Sequence, residues 1–131
     1  DGEGATKLVQ VAISGASSIR AARNIGMSVA NSPLVKTAIA GSDPNWGRVA
    51  MAVGKSGESI VQERLRISIG PFVITDQGRV RDDYQEDLVA AYMQGQEIDI
   101  GIDVGVGRGR AVVWTCDLTH EYVSINADYR S

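Results

Sequence analysis

A single cysteine in 131 residues excludes an internal disulfide and fits a reducing compartment. No apolar run is long enough to cross a bilayer as a helix, so the cytoplasm is the expected location and no membrane role is expected. A basic stripe is missing too: 13 lysines and arginines stand against 16 acidic residues, the formal net charge is −3, and nucleic acid has no electrostatic footprint. There is one histidine, no G-x-S-x-G elbow, no internal repeat and no linker. What remains is 44% hydrophobic sequence, enough to bury one sizeable core, so residues 1–131 are expected to form a single domain.

An initiator methionine is also lacking. The chain opens Asp1-Gly2-Glu3-Gly4-Ala5-Thr6-Lys7, a carboxylate set between two glycines, and this start reads as a cut end. Glycines on both sides of Glu3 permit unusual backbone angles and close approach of a partner, which marks Glu3 as a candidate functional residue. The competing reading is a solvated terminus.

Periodicity places the elements. Val9, Val11 and Ile13 alternate with polar or small residues in a strand over 7–14, with Gly15 at its end. Ser17 or Ser18 can cap a helix carrying Ile19, Ala22, Arg23, Gly26, Met27 and Ala30 at helical spacing up to the Asn31-Ser32-Pro33 break. A short helix over Leu34 to Ala40 follows, then one from Pro44 to about Val53 capped by Asp43, with Pro44 at the first helical position. Residues 65–69 and 72–75 alternate as a pair of strands, and Asp76-Gln77-Gly78 is turn chemistry. Asp82 or Asp83 can cap a helix through Glu86, Leu88, Val89 and Tyr92 to near Gly95. Residues 98–104 and 111–116 read as a β-hairpin across a Gly-rich turn, and Leu118, Tyr122 and Ile125 suggest a last short helix. Helices mixed with hairpins favour a layered α+β fold with mixed or antiparallel strands.

Three motifs invite chemistry. Gly105-Val106-Gly107-Arg108-Gly109 resembles a phosphate loop, but a strand follows it where a dinucleotide fingerprint must open a helix, so a turn is the favoured reading. Cys116, Asp117 and His120 could be drawn as metal ligands or a Cys–His pair, yet a structural zinc normally needs four ligands and no second cluster exists; no metal is expected, and Cys116 reads as core. Asp43-Pro44-Asn45-Trp46-Gly47-Arg48 reads either as a capped helix with Trp46 as packing anchor or as a lip where helix N–H groups meet an anion.

Taken in order, Asp1 to Lys7, Lys36-Thr37-Ala38, Asp43 to Arg48, and Cys116-Asp117-Leu118-Thr119 leading to Ile125-Asn126-Ala127-Asp128-Tyr129 resemble the bifunctional ornithine acetyltransferase (glutamate N-acetyltransferase) family of arginine biosynthesis. The resemblance spans the whole chain and implies the distal part of that family's β chain. It implies a precursor that cleaves itself before a threonine, the nucleophile, which then carries acetyl from N-acetylornithine to glutamate as acetyl-threonine. Thr6 is internal and is not that residue; the nucleophile, its oxyanion hole and the α chain are expected upstream. Glu3, Asn126 and Ser131 carry over as substrate-binding residues, with no catalytic residue, cofactor or metal in this chain. The implied partners are the α chain and the rest of the β chain in a hetero-oligomer, with no nucleic acid and no membrane. Acetyl-CoA as a second donor divides the family and stays open. Other readings are a stand-alone amino-acid-binding module, a structural domain, or a self-processed amidase or aminopeptidase. Because Glu3 and the pair Asn126 and Ser131 lie at opposite ends of the sequence, the resemblance requires a fold that brings both ends to one cleft.

Overall fold

The stripe of Val9, Val11 and Ile13 becomes the buried side of strand β1 (Leu8–Ala16) in the computed structural model, which describes residues 7–117. Three helices follow: α1 (Ile19–Ala30), α2 (Pro33–Ala40) and α3 (Trp46–Gly54). After a 3-10 turn over 62–64 come β2 (Arg66–Ile69), β3 (Phe72–Asp76), a two-residue β4 (Arg79–Val80), α4 (Glu86–Met93), β5 (Glu97–Asp103) and β6 (Gly109–Cys116). The strands form one sheet in the order β4-β3-β2-β5-β1-β6, in which only β1 and β5 are parallel. This is the expected layered α+β arrangement. The expected last helix, over 118–125, lies outside the described residues.

All core-facing positions fall on one side of the sheet. Ile98, Ile100 and Ile102 of β5 and Ile67 and Ile69 of β2 join the β1 stripe in a core with Ile25 and Val29 of α1, Val35 and Ile39 of α2, Val49 and Val53 of α3, and Val89 and Met93 of α4. Each such side chain taken from water contributes about 1.5–3 kcal/mol. Alternation sends the intervening residues to the opposite face, which carries no helix among the described residues. There Leu8, Val112 and Trp114 stay 53%, 45% and 61% exposed.

Local chemistry sets the helix starts. Ser18 Oγ accepts from the Ala21 amide at 3.0 Å and Ser32 Oγ from the Val35 amide at 3.3 Å, each satisfying an otherwise unpaired donor. Pro33 takes the first position of α2. The cap expected at Asp43 instead falls at Asn45, whose Oδ1 accepts from the Arg48 amide at 3.1 Å. Two tight turns cause the shift: the Asn45 amide donates to the Asp43 carbonyl at 2.7 Å and the Trp46 amide to that of Pro44 at 2.9 Å, holding Pro44 outside the helix. Asp83 does not cap α4 either. Its carboxylate receives Arg81 Nε at 2.9 Å, and Gln85 stands at the cap without a side-chain bond.

The largest departure from the sequence pattern concerns β5 and β6. They are not a hairpin: β1 lies between them, parallel to β5 and antiparallel to β6. Stepping over one strand spans about 10 Å, which five extended residues cover with length to spare. The crossing segment is tied to β1, with the Val104 amide on the Ser14 carbonyl at 3.1 Å and the Val106 and Gly107 amides on the Gly15 carbonyl at 2.7 Å each. Gly15 does not end β1; at φ +71° it forms the irregularity between Ile13 and Ala16 that turns its carbonyl to the loop. Gly109 is needed for closeness, since a Cβ there would collide with the Ser18 carbonyl oxygen. Gly109→Ala is therefore expected to lower stability by about 1–3 kcal/mol. The check is the denaturant midpoint of the full-length protein; an unchanged midpoint would show that the loop yields freely.

Candidate functional site

The odd-numbered register that buries Val9, Val11 and Ile13 also includes Lys7. This residue is 9% exposed, at the head of the apolar stripe. A buried ammonium must find acceptors, and Lys7 Nζ donates to the Ile39 carbonyl at 2.7 Å and to Ser42 Oγ at 2.8 Å. Ser42, just past α2, holds φ +53°, and its hydroxyl donates to the Met93 carbonyl at the end of α4, 3.2 Å away. Burial pushes the Lys7 ammonium below the usual lysine range, and the charge of Asp117 acts in the opposite direction.

Asp117 closes the arrangement. It is fully buried; Oδ1 accepts from the Lys7 amide at 2.8 Å, and its own amide donates to the Lys7 carbonyl at 3.2 Å. These bonds continue the β1–β6 register, in which Leu8 faces Cys116, by one more pair. Chain segments on either side of the described body thus join it at one point: residues 1–6 enter at Lys7 and residues 118–131 leave from Asp117 beside it. Glu3, Asn126 and Ser131 all lie outside the described residues, so the structure sets none of them into a site.

The motif readings resolve differently. His120 lies outside the described residues; Cys116 is a half-buried free thiol at the end of β6, and Asp117 is committed to Lys7. Among the described residues no group of three or more histidine, cysteine or acidic side chains could hold a metal. Three amides of the Gly-rich loop are already engaged: those of Val106 and Gly107 donate to the Gly15 carbonyl, and that of Gly105 donates to Asp103 Oδ1 at 2.9 Å. Arg64, Arg66 and Arg108 line an open hollow beside it, but Asp76 and Asp103 share that lining and Arg64 Nη1 donates to the Gly105 carbonyl at 3.2 Å. Three arginines against two aspartates leave the hollow a net charge of only +1, and the amides of Gly105, Val106 and Gly107 are already engaged, so nothing there is built to cradle a phosphate. The Asp43 to Arg48 segment is a capped helix start, with Trp46 packed on the core and Arg48 Nη1 bonded to the Leu34 carbonyl at 3.0 Å.

Sequence reading assigned no role to Lys7 or Ser42, and weighed Asp117 in a metal cluster that it set aside, not as a partner of Lys7. For Lys7 the signal was present, because a lysine in phase with a buried stripe needs partners. For Ser42 and Asp117 none existed: their partners lie 35 and 110 residues away in the chain.

The model of the ArgJ family matches residues 1–131. Similar curated proteins include the arginine biosynthesis bifunctional protein ArgJ of Ruegeria pomeroyi, 56% identical, and that of Brucella suis, 57% identical; each match covers all of this chain and 32% of the relative. The chain therefore spans about a third of the length of these relatives. The crystal structure of arginine biosynthesis bifunctional protein argJ from Bacillus halodurans matches with a TM-score of 0.93 at 42% identity, over 98% of this chain and 61% of that one.

Proposed function

The chain belongs to the ArgJ family, and on that premise we propose that it is the distal, substrate-contacting part of an acetyltransferase that moves acetyl from N-acetylornithine to glutamate in arginine biosynthesis. In this reading an upstream threonine, freed by self-cleavage, attacks the acetyl carbonyl through its hydroxyl while its own α-amine takes the proton. Ornithine leaves with a restored α-amine and acetyl-threonine remains. The α-amine of glutamate then attacks the ester, and threonine is regenerated. No cofactor is required for either half-reaction.

The observation that carries the reading is the pairing of Lys7 with Asp117. It supports one cleft served by both Glu3 and the pair Asn126 and Ser131, because the segments bearing them meet the body of the protein side by side. One pocket must take ornithine, whose side chain ends in an ammonium, and glutamate, whose side chain ends in a carboxylate. A fixed charge would favour one and repel the other, whereas an amide and a hydroxyl both donate and accept. Asn126 and Ser131 suit that task.

The partners in this reading are the α chain and the remaining β segment of the same precursor, in the cytoplasm. The open sheet face supports this: Leu8 and Trp114 lie on adjacent strands with Val112, more exposed than isolated surface residues require. Relatives carry about two thirds of their length beyond the matched region, sequence enough to cover it.

Asn126→Asp in the full-length enzyme tests the assignment. Like charges about 4 Å apart near a protein surface repel by about 4 kcal/mol. Glutamate use should therefore fall on the order of tenfold more than acetylornithine use, even with partial screening. Equal effects on the two half-reactions would remove Asn126 from the shared pocket.

A further inference from the structure

A lysine on the buried side of a strand is an expensive way to fill space, since an apolar residue of the same length would avoid desolvating a charge. The contacts of Lys7 suggest what it does instead. Its ammonium reaches the carbonyl of Ile39 in the last turn of α2 and the hydroxyl of Ser42 beyond it, and that hydroxyl continues to the last residue of α4. The backbone of Lys7 is paired with Asp117 in both directions. One residue thereby ties the start of β1, the end of β6 and the ends of two helices together.

Glu3 is separated from this tie by Gly4, Ala5 and Thr6 alone. Four residue steps reach at most about 14 Å, so where Lys7 is fixed limits where the Glu3 carboxylate can go.

We propose that Lys7 is a positioning residue for the substrate site: clamped between the Ile39 carbonyl and the Ser42 hydroxyl, and paired with Asp117, it fixes the point from which the segment bearing Glu3 departs. The proposal rests on the reading of Glu3 as a substrate-contacting residue. Lys7 itself touches no reacting atom. It acts through Glu3.

The backbone of Ser42 supplies a clean probe. At φ +53° a serine is in the left-handed region that glycine adopts without strain, so Ser42→Gly removes the hydroxyl while relieving the backbone. The experiment is a double-mutant cycle in the full-length enzyme with Lys7→Met, Ser42→Gly and Glu3→Gln, following precursor cleavage, thermal midpoint, and kcat and KM for N-acetylornithine. The expected result is that Lys7→Met lowers kcat/KM on the order of tenfold and Ser42→Gly about threefold in cleaved enzyme. In the Glu3→Gln background each should cost less than about twofold, because the residue being positioned is already lost. Wild-type kinetics for Ser42→Gly and Lys7→Met beside an impaired Glu3→Gln, or losses that multiply fully with Glu3→Gln, would overturn the positioning role and leave the substrate reading standing. Wild-type kinetics for Glu3→Gln would overturn both. If Lys7→Met fails to fold, the Ser42→Gly arm decides alone.

Discussion

Residues 1–131, produced alone and verified intact by mass, are expected to transfer no acetyl from N-acetylornithine to glutamate above the uncatalysed background. A threonine nucleophile of the proposed kind needs its own free α-amine as base, and every threonine in this sequence is internal. Two are further committed by their surroundings. Thr37 Oγ1 donates to the Pro33 carbonyl at 2.8 Å, and Thr75 Oγ1 is buried, accepting from the Ile67 amide at 3.0 Å. Activity should appear in the full-length protein under the same conditions. Turnover by the verified 131-residue chain would move the nucleophile into it and sink the proposed division of labour.

Glu3→Gln in the full-length enzyme is expected to lower kcat/KM on the order of thirtyfold to several thousandfold while precursor cleavage and thermal midpoint stay near wild type. The range follows from about 2–5 kcal/mol lost when one partner of a desolvated, hydrogen-bonded charge pair is removed, at a tenfold change in rate per 1.36 kcal/mol. A carboxylate between two glycines can approach an ammonium closely, whether that of the substrate or the α-amine of the nucleophile. Glutamine keeps the shape and one acceptor, so the substitution isolates charge from packing. A Glu3→Gln enzyme with normal rates would falsify the assignment.

How far these residues could be read without coordinates differs by kind of information. Strands whose alternation faces one core were legible: Val9, Val11 and Ile13 in β1, Ile67 and Ile69 in β2, and the antiparallel β2–β3 pair all follow from period and turn residues. The cap of α1 was legible as Ser17 or Ser18, because a hydroxyl before an amphipathic run can serve an unpaired amide, and the structure places it at Ser18. Strand adjacency was not. Residues 98–104 and 111–116 alternate equally well as neighbours or as flanks of a third strand, and only the match of β1 to both decides, as in the register placing Val11 between Ile100 and Val113. Asp43 and Asn45 are both good caps, and the choice fell to two tight turns no propensity reports. Glu3 was marked by its flanking glycines and given its substrate role by resemblance, while Asn126 and Ser131 came from resemblance alone. The Lys7, Ser42 and Asp117 cluster came from the fold.

The most direct measurement is to incubate the full-length protein with N-acetylornithine in the absence of glutamate, digest it, and locate the acetyl group by mass spectrometry. The expected result is one acetyl ester on a threonine at the N-terminus of an upstream fragment, lost on addition of glutamate as acetylglutamate forms, with every peptide of residues 1–131 unmodified. Acetyl on a residue within 1–131, or transfer to glutamate with no acetylated protein species under conditions that trap an ester, would contradict it.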